Sequence, residues 1–90
     1  MVIPFLKTLR HAVFFPIQQL TMVGDADFYG CCNGRFIALE LKSEGEEARP
    51  IQQYKLDQVK KTGGVAIVAS PDNWAEVKEL LSSLDRGDRK

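Results

Sequence analysis

Residues Gly24 to Lys42 read GDADFYGCCNGRFIALELK. The stretch predicts a β-hairpin. Asn33-Gly34 supplies the centre of a type I′ turn, which needs φ > 0 at both positions. On either side run Ala26–Cys32 and Arg35–Lys42, rich in aromatic and apolar residues. A two-residue turn fixes the register, so Cys32 faces Arg35 and every later pair follows from it. Asp27 then stands across from Glu40, and Asp25 across from Lys42. Side chains alternate faces along a strand, so these four share one face. Opposed residues have Cβ atoms roughly 4.5–5.5 Å apart. Two carboxylates held that way repel, and a divalent cation between them would reverse the sign. Hard cations such as Mg²⁺ take a couple of carboxylates together with waters and phosphate oxygens. Lys42 lands beside the same spot.

Upstream of the hairpin, Pro4–His11 is expected to form a short helix. Phe5, Leu6 and Leu9 lie on one side of it, and Lys7, Arg10 and His11 on the other. A helix of this length needs packing to stand. Ala12–Leu20, AVFFPIQQL, is expected as a strand. Pro16 cannot donate to a ladder, so the strand should lie at an edge or carry a bulge. Thr21–Asp25 reads as a connection.

Downstream, Ser43–Arg49 is polar and contains glycine, which marks a loop. Pro50 suits the first turn of a helix. In that helix Ile51, Tyr54, Leu56, Gln58 and Val59 follow helical spacing, with Lys55, Lys60 and Lys61 set away from them. Gly63-Gly64 is the stop, in the left-handed conformation. GVAIVAS, Gly64 to Ser70, is apolar enough for a central strand covered on both faces. A helical crossover to it implies parallel pairing. Ser70-Pro71 is expected to open the last helix. Trp74, Val77, Leu80, Leu81 and Leu84 form that helix's apolar stripe. Asp85–Lys90 is charged and expected to fray. The whole reads as one α/β domain over residues 1–84, in the order αβββαβα, with a small mixed sheet flanked by helices.

The composition sets outer limits. Ninety residues make one domain. A chain this size buries only about 60–65% of its unfolded surface, so oligomerisation would help it. Twelve basic and twelve acidic residues cancel, and the pI is near 6.6. That balance is not the signature of a dedicated duplex-DNA binder. It leaves room for an acidic metal site with basic residues segregated elsewhere. No apolar run approaches the ~20 residues of a membrane span, and no cleavable leader is evident. Cys31 and Cys32 suit a reducing cytoplasm. As strand neighbours they point to opposite faces and are read as packing residues.

The ordered set GDADFYG, NGRF, ELK, PIQ and GGVAIV resembles the VRR-NUC branch of the PD-(D/E)XK nuclease superfamily, above all its short stand-alone phage-type members. Those carry a G-x-P-D-hydrophobic-x-G run, an N-G-(K/R)-F turn, an E-(V/L)-K strand, a P-x-Q helix start and a later G-G before a strand. The resemblance spans Phe14 to Leu81. A bare D…E-x-K is common by chance, whereas the ordered set is specific. It implies a restriction-endonuclease-like core and a metal-dependent DNA endonuclease. Asp27, Glu40 and the Leu41 carbonyl would hold Mg²⁺ or Mn²⁺. Lys42 would position the attacking water or neutralise developing charge. Gln52 matches the recurring glutamine beside the metal, where its amide could hold water or substrate and would support the position of the nucleophile. The products would carry a 5′-phosphate and a 3′-hydroxyl. The compact phage-type members are similar to Holliday-junction resolvases that act as homodimers. A homodimer cutting branched or structured DNA is therefore the expectation, in a bacterial host cell or encoded by its phage.

Three departures stand out. The first helix has no acid where many superfamily members place a Glu. Pro16 occupies the place of a frequent lysine, and Asp25-Ala26 that of x-Pro. Candidate DNA contacts are Lys7, Arg10, His11, Gln18, Arg35 and Lys55. Two other function classes remain in play. One is a binding or accessory module that keeps the nuclease fold without cutting. The other is an interaction domain whose hairpin acids merely pair with lysines.

Overall fold

The computed structural model describes residues 2–17 and 26–87. The hairpin forms as its turn requires. Asn33 and Gly34 have φ of 53° and 87°. They join β2 (Phe28–Cys32) to β3 (Arg35–Leu41) in the expected register, Cys32 opposite Arg35 and Phe28 opposite Leu39. β1 (Ala12–Pro16) pairs antiparallel with β2, and β4 (Val65–Ala69) pairs parallel with β3. The sheet is mixed and four-stranded, in the order β1-β2-β3-β4. With α1 (Val2–Thr8), α2 (Pro50–Lys61) and α3 (Trp74–Arg86), the element order is αβββαβα.

The alternation of strand side chains assigns each face a cover. Phe28, Cys32, Ile37, Leu39, Ile67 and Ala69 pack with Leu6 of α1 and with Val77, Leu81 and Leu84 of α3. On the other face Ala26, Ala38, Ala66 and Val68 meet Leu56 and Val59 of α2. Ile37, Leu39, Leu81 and Cys32 are the largest fully buried side chains. Cys31, one residue on, is exposed, so the two cysteines do point apart. Phe14 lies across from Gly30, and a Cβ there would come within 2.6 Å of the Phe14 ring. A glycine at that point lets the ring cross the strand. Among the described residues no helix is long and apolar enough to cross a membrane.

Several boundaries differ from expectation, each for a physical reason. β4 lies at an edge of the sheet rather than its centre. Its apolar run reflects cover on both faces, not a strand on each side. β1 ends at Pro16, at the sheet's other edge, where a missing N–H does no harm. Gln18 and the rest of the expected strand, like Asp25, lie outside the described residues. α1 stops at Thr8, whose hydroxyl donates to the Phe5 carbonyl, so Arg10 and His11 leave the helix.

α3 begins at Trp74, later than Ser70-Pro71 suggested. The Asn73 side chain spans the intervening turn, accepting from Ser70 N (2.8 Å) and donating to Val68 O (2.8 Å). α3 also runs on through Asp85 to Arg86, where fraying was expected. Asp85 is buried and accepts hydrogen bonds from Arg10 N (2.9 Å) and His11 N (2.6 Å). In α2 the inward stripe is Gln52, Leu56 and Val59, while Ile51 and Tyr54 stay exposed.

Candidate functional site

The hairpin register places Asp27 one residue beyond the last β2–β3 pair, across from Glu40. There its carboxylate takes over from the ladder. Asp27 Oδ2 accepts from Leu41 N at 2.7 Å. Two successive amides, the last of β3 and the one just after it, are thus engaged by neighbours, because Lys42 N donates to Ala69 O of β4 at 2.8 Å. The main chain of Leu41-Lys42 is pinned from both sides.

Glu40 is the centre of the cluster and is only 3% exposed. Its Oε2 accepts from Gln52 Nε2 at 2.8 Å and faces Lys42 Nζ at 3.3 Å. Gln52 is fixed at its other end, since its Oε1 accepts from Arg49 N at 3.0 Å. Pro50 starts α2 directly after Arg49, so the first turn of the helix aims Gln52 at the sheet. Sequence reasoning allowed Gln52 to hold water or substrate; here both ends of its amide are spoken for, and it positions Glu40.

Glu40 Oε1 is buried and has no hydrogen-bond partner among the described residues. Buried polar atoms are seldom left so, because the unmade bond carries a desolvation penalty. Burial pushes the Glu40 carboxyl above its ordinary range, and the charge of Asp27 adds to the rise; Lys42 and Arg49 oppose it without cancelling it. An acid held next to an acid, with one oxygen unpartnered, is a donor set suited to a hard cation. Asp27, Glu40 and the Leu41 carbonyl are the groups that fit one. Among the described residues no cluster of three or more His, Cys, Asp or Glu side chains is assembled, so two carboxylates are the anionic set.

The loop after Lys42 adds a residue that sequence reasoning passed over. Glu46 folds back, accepting from Ser43 N at 2.8 Å. That bond, with a smaller contribution from the charge of Lys42, holds the Glu46 carboxyl below its usual range. Arg49 was also missed. Its one signal was its place immediately before the helix-starting proline.

The candidate DNA contacts do not gather at this corner. Arg35 flanks the hairpin turn, about 16 Å along β3 from Glu40 at ~3.3 Å per residue. Arg10 and His11 sit at that same far end, beside Ala12, which pairs with Cys32. Arg35 donates to Gly63 O at 3.5 Å. Lys7 is exposed on α1 and Lys55 half-buried on α2. Gln18 lies outside the described residues. No protein-family model, curated protein or solved structure matches the chain.

Proposed function

We propose that the chain is a metal-dependent nuclease with a restriction-endonuclease-like core that hydrolyses DNA phosphodiester bonds at the Asp27/Glu40 corner. The observation that carries this reading is Glu40, a buried acid opposite Asp27 whose Oε1 has no hydrogen-bond partner among the described residues. The resemblance of its motifs to the VRR-NUC branch supplies the chemistry. Asp27, Glu40 and the Leu41 carbonyl would hold Mg²⁺ or Mn²⁺. Bound there, the cation supplies Lewis-acid activation of water and offsets charge on the phosphoryl oxygens. Gln52 fixes one oxygen of the Glu40 carboxylate through its 2.8 Å bond. Lys42 holds its ammonium 3.3 Å from Glu40, where it can orient the attacking water or meet developing negative charge. Asp27 also holds the Leu41 amide, and the peptide unit that carries the Leu41 carbonyl is held by its own N–H, Lys42 N, which donates to Ala69 O.

One 90-residue unit carries one such corner, and cutting two strands takes two. The α2 side of the sheet leaves Val13, Phe15 and Phe36 exposed at 50%, 59% and 48%. That apolar surface supports a homodimer, and with it branched or structured DNA as substrate. The zero net charge favours a second reading, a nuclease-fold module that binds without cutting. Labelled four-way junction, flap, single-stranded and duplex DNA, each with Mg²⁺, Mn²⁺ or EDTA, separate the two. Metal-dependent cutting that disappears in Glu40→Ala and Lys42→Ala supports the nuclease. Binding without cutting, unchanged in both variants, supports the module.

A further inference from the structure

Beside the acidic corner, the carboxyl ends of the parallel strands β3 and β4 open onto a cavity of about 330 Å³. Crevices at that end of parallel strands are where open α/β sheets take ligands. Val2, Leu41, Pro71 and Trp74 make its walls apolar, and Lys42 and Ser70 bring the polar groups. Lys42 joins the two places: it lines the cavity, and its ammonium stands 3.3 Å from Glu40. The Trp74 indole is held by its surroundings. Phe5 meets it edge to face at 5.6 Å and 81°, and Lys78 Nζ sits 5.9 Å from the ring centroid.

The ligand must satisfy both halves. A phosphate suits the lysine and is rejected by the apolar walls. An aromatic ring suits Trp74 and Pro71 and needs no charge. One nucleotide carries both groups on a single sugar. We propose that this cavity takes an unpaired nucleobase, stacked on Trp74, from the nucleotide next to the phosphate held at Lys42. The proposal rests on the nuclease reading and adds a substrate class to it. A base inside a duplex cannot reach such a pocket without leaving its stack. The site therefore selects single-stranded, flap or junction nucleotides over continuous duplex.

Trp74 is the only tryptophan in the chain, so its emission reports the pocket alone. The test titrates the wild-type protein, in Ca²⁺ to hold the DNA without cutting it, with three end-labelled DNAs of equal length. These are oligothymidylate, a fully abasic strand of equal charge, and a duplex. Label anisotropy follows binding while Trp74 emission follows stacking. The expected result is quenching by oligothymidylate only, with about tenfold tighter binding than the abasic strand, as base–aromatic stacking gives. Trp74→Phe, which keeps a ring against Phe5, should retain most of that preference, and Trp74→Leu should lose it. Binding with equal affinity for both strands and no quenching overturns the pocket and leaves the nuclease reading standing. Equal quenching by duplex overturns the selection for unpaired bases. Binding of none of the three overturns the pocket together with DNA as the ligand.

Discussion

Glu40 is an acid buried against another acid, and its raised pKa decides what its removal does. The folded protein favours the protonated form, so the ionised form costs stability at neutral pH. That cost is absent at acid pH and appears as pH rises through the raised pKa. Glu40→Gln should therefore raise stability, and with it Tm, at neutral pH. Thermal scans in EDTA at acid and neutral pH check this, the gain shrinking toward acid. Asp85 has the opposite sign. Burial raises its carboxyl, but the hydrogen bonds from Arg10 N and His11 N, with the charges of His11 and Arg10, outweigh burial and hold it below its usual range. Its contribution is complete above the ordinary aspartate range and fades as pH falls through the depressed value. Asp85→Ala should cost about 2 kcal/mol at neutral pH through the two lost hydrogen bonds. Denaturant unfolding should show the gap closing in acid. Of these two acids only Glu40 was legible in the sequence. Its opposition to Asp27 follows from arithmetic across one Asn-Gly turn. The partners of Asp85 lie 74 and 75 residues away, and a charged C-terminal run carries no sign of them.

At the scale of elements, the hairpin and the parallel crossover were legible because both rest on local signals, a turn dipeptide and a proline-to-glycine helix. The edge position of β4 was not. An apolar run reports that both faces are covered and says nothing of how many strands stand beside it. The inward stripe of α2 was obscured because its first member is Gln52, a polar residue drawn in by Glu40. The start of α3 was displaced by Asn73, whose side chain satisfies the turn before the helix begins. The β1–β2 pair depends on one glycine. Gly30→Ala would press a methyl group into the Phe14 ring and the Val13 carbonyl. Such overpacking should cost about 1–3 kcal/mol. Urea unfolding of Gly30→Ala beside Gly30→Ala/Phe14→Leu checks the cause, because a smaller residue at Phe14 should recover part of the loss.

The whole molecule carries an acidic corner at one end of the sheet and Arg10, His11 and Arg35 at the other. A neutral net charge is compatible with DNA as substrate when the charges are separated in this way. The exposed Val13, Phe15 and Phe36 form the surface on which the proposed dimer would close. Phe15→Ser/Phe36→Ser should shift the chain toward monomer in light scattering while leaving its circular dichroism unchanged. In the proposed nuclease, Asp27 and Glu40 act together on a phosphodiester bond. Single-turnover cutting of a labelled four-way junction tests it most directly, with wild type, Asp27→Asn and Glu40→Gln compared in Mg²⁺ and in EDTA. Cutting by wild type in Mg²⁺ only is expected, with each variant folded and slower by on the order of a thousandfold or more, as for removal of a catalytic group. Equal cutting by all three proteins, or none by wild type in either buffer, would contradict it.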